Sequence, residues 1–373
     1  MTAAGQVRAR RRDRRVYLRS HPLLFALLAA TRGRPVRRLG RAVLVHDAAA
    51  YREALTRLPL DRTAAGTTGG AARAALSGPT GVLFDQEGAG HRADRRALAV
   101  GLGAAGVEEL RSVWRPLLAG GLAPLGRGGE VDLVDLARGL AGSVVCALLD
   151  RPAEPRAVAA AAAEAAAASV RSHLPGPRRP GAEAGAARAA DRLRRLLGGP
   201  QGAEQPAGGA DALSAMVAVA AVNTTVAALP RAVAWCADAG LWDQAADEAL
   251  LPVLADELLR VTAASPLLPR VAAGAGSVGG CPVRGGDRLL LVARHAAEAH
   301  RRDPDARAPA GPDLARLVFG AGPHSCPGAR LARVQLADVL AALAPYRPVV
   351  TRARVDRGSA LPGWRSLTVR AGA

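Results

Sequence analysis

The ten residues Phe319-Gly320-Ala321-Gly322-Pro323-His324-Ser325-Cys326-Pro327-Gly328 constrain this chain more than any other stretch. Glycines let the backbone close tightly around one side chain, so that peptide N–H groups can point at the Cys326 sulfur. The residues that follow, Ala329-Arg330-Leu331-Ala332-Arg333-Val334-Gln335-Leu336, repeat apolar positions with a helical period and place the cysteine just before a helix. The positive end of a helix favours a thiolate. Most lone cysteines are small buried hydrophobes, but that reading leaves the glycines, the histidine and the phenylalanine without a reason. A shielded, deprotonated sulfur that ligates a metal accounts for all of them.

The loop resembles the haem-binding loop of the cytochrome P450 family, Phe-Gly-x-Gly-x-His-x-Cys-x-Gly followed by Leu-Ala-Arg. Agreement at six specified positions in one window would arise by chance roughly once in tens of millions of windows, so chance is set aside. The resemblance implies haem b, with Cys326 as the thiolate ligand of the iron and O2 as co-substrate. It also implies cofactor contacts from Phe319, Gly320, His324 and Gly328, with His324 donating to a haem carboxylate.

Three further segments stand in the order that the family requires. Asp256-Glu257-Leu258-Leu259-Arg260 carries a Glu-x-x-Arg pair, and the i, i+3 spacing puts both charges on one helix face. Alone, such a pair is usually a solvated face. Followed by Ser265-Pro266 and Arg270, it resembles the family's K-helix, which implies that Glu257 and Arg260 brace the haem loop and that Arg270 meets a propionate. His91 and Arg95 lie one helical turn apart and resemble the C-helix pair that binds propionates, although basic i, i+4 pairs are common on any helix.

The stretch Ala220-Ala221-Val222-Asn223-Thr224-Thr225 resembles the oxygen-binding motif, with two departures. Ala221 stands where the family has glycine, and Asn223 where it has an acid. Thr224 and Asn223 are the candidate catalytic residues beside Cys326. An amide cannot relay a proton by ionising, so Asn223 signals a changed proton supply or serves as a capping or kink residue. It is the only asparagine in a chain without lysine or isoleucine, which fits strong selection against AT-rich codons.

The fold class expected is mainly α with small β-sheets, a single large haem-thiolate monooxygenase domain. Half of the residues are apolar, and alanine and leucine carry long helical stretches. Residues 1–20 read as a basic, disordered arm and 21–373 as the domain, with lid helices at about 155–198, the oxygen-site helix at about 211–238 and the haem loop at 319–328. Alternating residues from Val36 to Leu44 predict a hairpin or short sheet ahead of a helix from about Ala48 to Leu58. Ala64 to Gly81 reads as a loop over the substrate side. The segment 294–318 is shorter than the family's, with Arg307 as a partner for the Glu257–Arg260 pair. Trp364 or its neighbours are expected to touch substrate.

A net charge of +18 raises a nucleic-acid partner, but dispersed arginines without a motif or interleaved aromatics exclude that reading. Arg330 and Arg333 suit docking of an acidic redox protein. The arginine-rich start followed by Leu23 to Ala30 looks like the opening of a signal peptide, yet His21-Pro22 interrupts it and no cleavage site follows. Membrane insertion is not expected, and a cytoplasmic location is. Cys146, Cys236, Cys281 and Cys326 show no disulfide or metal-finger spacing.

The resemblance implies a monooxygenase that hydroxylates or epoxidises a small molecule in specialised metabolism. Electrons would come from an external ferredoxin and its reductase, because no flavin or iron–sulfur segment is present in the sequence. The alternatives are an oxidase of atypical outcome (oxidative coupling, ring closure, desaturation or peroxide-driven chemistry) and a haem-binding protein without turnover.

Overall fold

The computed structural model describes residues 3–67, 83, 86–173, 181–198 and 209–372. Two helices open the chain, α1 (Ala3–Ser20) and α2 (Pro22–Thr31), and a hairpin of β1 (Val36–Leu39) and β2 (Ala42–Val45) follows. Gly40 turns that hairpin with φ 57°, a region that favours glycine. Next come α3 (Ala48–Thr56), β3 (Leu60–Asp61), α4 (Gly88–Leu102), α5 (Ala104–Leu122), β4 (Glu130–Asp132) and α6 (Leu133–Leu148). Asp47 caps α3 by accepting from the Ala49 and Ala50 amides, and Asp132 caps α6 through Val134.

The second half contains α7 (Pro155–His173), α8 (Ala182–Leu197), α9 (Gly209–Ala239), α10 (Trp242–Ala246), α11 (Leu251–Thr262), β5 (Leu268–Ala272), β6 (Gly276–Val278), β7 (Cys281–Val283) and β8 (Arg288–Leu291). It ends with α12 (Ala293–Ala296), α13 (Pro312–Ala315), α14 (Ala329–Leu343), β9 (Val349–Asp356) and β10 (Gly363–Arg370). The main sheet has the order β1-β2-β8-β5-β3, and β4-β10-β9 form a second sheet. The principal core unites α5, α6, α7, α8, α9, α11 and α14 through Trp114, Leu133, Leu140, Ala162, Leu193, Val233, Leu258 and Leu340. Central in it lies α9. One window of this helix, within Ala212–Ala239, is long and apolar enough to cross a membrane by composition, but the helix is largely covered by its neighbours.

Within the stretch 1–20 expected to be a disordered arm, Ala3–Ser20 is instead a docked helix. Gly5, Ala9, Asp13, Val16 and Tyr17 form its buried stripe, a helical period that small residues and one acid hide from a reading based on hydrophobicity. Buried Asp13 pairs with Arg231 at 2.6 Å and with Arg294 at 3.0 Å. The two guanidinium groups also lie 4.5 and 4.0 Å from the Tyr17 ring centre, and the Tyr17 hydroxyl donates to the Thr262 carbonyl at 2.7 Å. Arg10 adds a pair with Asp303, and Arg12 one with Asp238. Removing Asp13 would leave Arg231 buried without its counter-charge. Asp13→Ala should therefore lower unfolding stability by about 3–5 kcal/mol, read from the midpoint of a urea transition.

Candidate functional site

Cys326 sits at the end of a loop that two left-handed glycines shape. Gly320 has φ 79° and Gly322 φ 73°, conformations that a side chain rarely adopts. The Cys326 amide then donates to the Phe319 carbonyl at 2.7 Å and closes the loop on itself. Beyond the cysteine, α14 starts at Ala329. Gly328 lies against the sulfur, since a Cβ there would come within 3.9 Å of Sγ. Cys326 keeps an exposed surface although the loop packs closely around it. That packing pushes its thiol pKa up, while the Gly328 backbone N–H and the Arg95 charge pull it down.

The loop faces a cluster of basic groups drawn from three elements. His91 and Arg95 come from α4, Arg270 from β5 and His324 from the loop. The His91 and His324 rings stack with centroids 3.9 Å apart, and Arg95 donates to the Ser325 carbonyl at 2.5 Å. Arg270 is held down to about 10, first by burial and then by Arg62. His324 is pushed down to about 3 by burial, followed by the charges of Arg62, His91, Arg270 and Arg95. In both cases burial leads and the neighbouring positive charges add to it, which leaves His324 a neutral imidazole beside charged arginines.

Arg62 is the member that sequence reasoning missed. In the β3–β5 ladder Leu60 faces Ala272 and Asp61 faces Val271, so the next step brings Arg62 alongside Arg270. No local signal distinguishes this arginine from the others. Only the antiparallel register could have found it.

These groups fit a haem. The buried His91 side chain has no hydrogen-bond partner for Nε2 among the described residues, which is costly unless an acceptor arrives. The carboxylates nearby, Glu87 and Asp94, stay at the margin, with Glu87 largely exposed and bound to Arg62 at 3.0 Å. Two propionates would find positively charged partners here, and the Cys326 sulfur would be a soft ligand for the iron.

The brace behind the loop is fully buried. Arg260 and Glu257 pair at 2.7 Å with side chains 0% and 1% exposed. Arg260 also donates to the carbonyls of Ala297, Arg302 and Asp303, and Glu257 accepts from the Ala310 amide at 3.1 Å. Arg307, expected to join the pair, is exposed instead. Backbone carbonyls meet the guanidinium in its place, so the shortened segment is held by main-chain groups rather than a third side chain.

On α9 the hydroxyl of Thr224 donates to the Ala220 carbonyl at 2.8 Å, and with alanine at 221 the helix continues without a break. Asn223 turns to another face. Its amide donates to the Val219 carbonyl at 2.7 Å and to the Ala162 carbonyl of α7 at 3.3 Å, which ties α9 to α7. The side chain thus bonds backbone carbonyls, one of them on its own helix as the capping or kink reading expects. Trp364 is buried and lines a cavity of about 50 Å³ with Asn223, Arg138 and Leu361, which neither Thr224 nor Cys326 lines. The positions 155–198, expected to form lid helices, hold α7 and α8, while 174–180 and most of the loop expected at 64–81 lie outside the described residues.

No family model matches the chain. It is 31% identical over 274 residues to 20-oxo-5-O-mycaminosyltylactone 23-monooxygenase of Streptomyces fradiae, a match spanning 65% of this chain and 62% of that protein. A putative cytochrome P450 126 of Mycobacterium tuberculosis is 35% identical over 133 residues, 33% of this chain and 31% of the relative. The chain thus spans less than two thirds of the length of the curated relatives it matches. A 6-coordinated cytochrome P450 of Thermus thermophilus superposes with a TM-score of 0.76 at 20% identity, covering 94% of this chain and 98% of the other.

Proposed function

Because the chain has the cytochrome P450 fold and belongs to that family, we propose that it is a haem-thiolate monooxygenase acting on a small organic substrate. It places one oxygen atom of O2 in the substrate, by hydroxylation or epoxidation, in specialised metabolism, and the other oxygen leaves as water. The observation that carries the reading is the closed Cys326 loop, with Arg95, Arg270 and the stacked His91 and His324 rings gathered beside it. Similarity to a named monooxygenase supports the activity and the small-molecule substrate. An external ferredoxin and reductase supply electrons, and the cytoplasm is the expected location.

Haem bound through Cys326 would supply the activation of dioxygen, with the thiolate pushing electron density toward the iron. The chain's own residues do the rest. Cys326 holds the metal, and the Gly328 N–H and Arg95 charge favour its thiolate against the opposing effect of burial. His91, Arg95, Arg270, His324 and Arg62 hold the propionates. Glu257 and Arg260 fix the segment behind the loop. Thr224 holds a hydroxyl on the oxygen side of α9, within a helix whose backbone polar groups are already paired. Asn223 keeps the lid helix α7 against α9.

The test is the absorption spectrum of the reduced protein exposed to carbon monoxide. A strongly red-shifted Soret band is expected. A band of the histidine-ligated type, or a protein that takes up no haem, would overturn the reading.

A further inference from the structure

The opening pair of helices carries a surface that oxygen chemistry does not use. Residues 1–46 contain 12 arginines and one acid, Asp13, which is buried; the net charge there is +11 (12 − 1) of the chain's +18. About one eighth of the chain thus holds more than half of the charge. On α1 the exposed positions Val7, Arg8, Arg11, Arg14, Arg15, Leu18 and Arg19 follow the helical period and form one face. Charge asymmetry of this kind marks contact with an anionic partner.

The next helix says which anion. Exposed positions of α2 are Pro22, Leu23, Ala26, Leu27, Ala29 and Ala30, none of them polar, and its single polar side chain, Thr31, points inward. Leu23 is 86% and Leu27 45% exposed. The aromatic residues of the pair face each other instead, with the Tyr17 and Phe25 rings 5.0 Å apart. Arg32, Arg34 and Arg37 resume the exposed charge immediately after α2 in the chain. An exposed aliphatic face between two arginine-rich margins offers little to nucleic-acid bases, whereas it matches a lipid interface, where leucines enter the acyl boundary and arginines reach the headgroups. At ten residues, about 15 Å, α2 is too short to span a bilayer and would lie in its plane.

We propose that α1 and α2 dock the protein on an anionic lipid surface. The proposal is independent of the haem reading. It is tested by co-sedimentation with vesicles of phosphatidylcholine alone or of phosphatidylcholine and phosphatidylglycerol in equal parts. The protein should bind the anionic vesicles only, and more weakly as salt rises to about 0.5 M. The double variant Leu23→Ser, Leu27→Ser should lose about tenfold or more in affinity. The triple variant Arg11→Gln, Arg15→Gln, Arg19→Gln should lose about a hundredfold. All five side chains are exposed, so the urea midpoint should stay that of the wild type. Failure to bind anionic vesicles at low salt would overturn the proposal. So would a serine variant that binds as tightly as wild type, which would mean electrostatic adsorption alone, or retention by an acidic protein with vesicles ignored.

Discussion

A Cys326→Ser protein is expected to lose the red-shifted Soret band of the reduced, carbon-monoxide-treated state, and with it turnover by about 10³-fold or more. Serine keeps the backbone N–H that closes the loop on the Phe319 carbonyl, and it occupies a position that already has an exposed surface. The unfolding midpoint should therefore move by no more than about 0.5 kcal/mol. What changes is the ligand. A hydroxyl does not ionise under the influence of the Gly328 N–H and Arg95 charge that favour a thiolate. The contrast between a lost spectrum and an unchanged melt separates ligation from packing. A serine variant that retained the band would remove Cys326 from the iron.

This residue was legible because its constraints are local: glycines, a turn and a helix start within ten positions. The Glu257–Arg260 pair was legible from spacing, but its partners were not, since the carbonyls of 297–303 carry no side-chain signature. The first helix escaped notice for another reason. Its buried stripe consists of Gly5, Ala9, Asp13, Val16 and Tyr17, and its inward charge is satisfied by arginines more than two hundred residues away. Composition suggested an unfolded arm, and long-range pairing overrode it. Arg62 belongs to the same class, because only strand register brings it to Arg270. Asn223 shows the converse. Its rarity drew attention to chemistry, whereas its amide joins two helices.

Glu257→Ala should be the most damaging substitution outside the metal ligand, and the reason lies in what it leaves behind. Arg260 would remain 0% exposed, with its charge opposed only by the carbonyls of Ala297, Arg302 and Asp303, while the Ala310 amide would lose its acceptor. An uncompensated buried cation costs about 3–5 kcal/mol, and the orphaned amide adds about 1–3 kcal/mol. The segment from Ala297 to Ala310 leads through α13 to Phe319, so the damage reaches the loop around Cys326. Haem retained after gel filtration should fall together with the unfolding midpoint. Replacing both charges, as Glu257→Met with Arg260→Met, removes the buried cation along with its partner. The double variant should then be less destabilised than Glu257→Ala, yet still poor in haem retention, because no side chain gathers the segment behind the loop. If the double variant bound haem as well as wild type, the pair would be a packing device for α11 and not a brace for the loop.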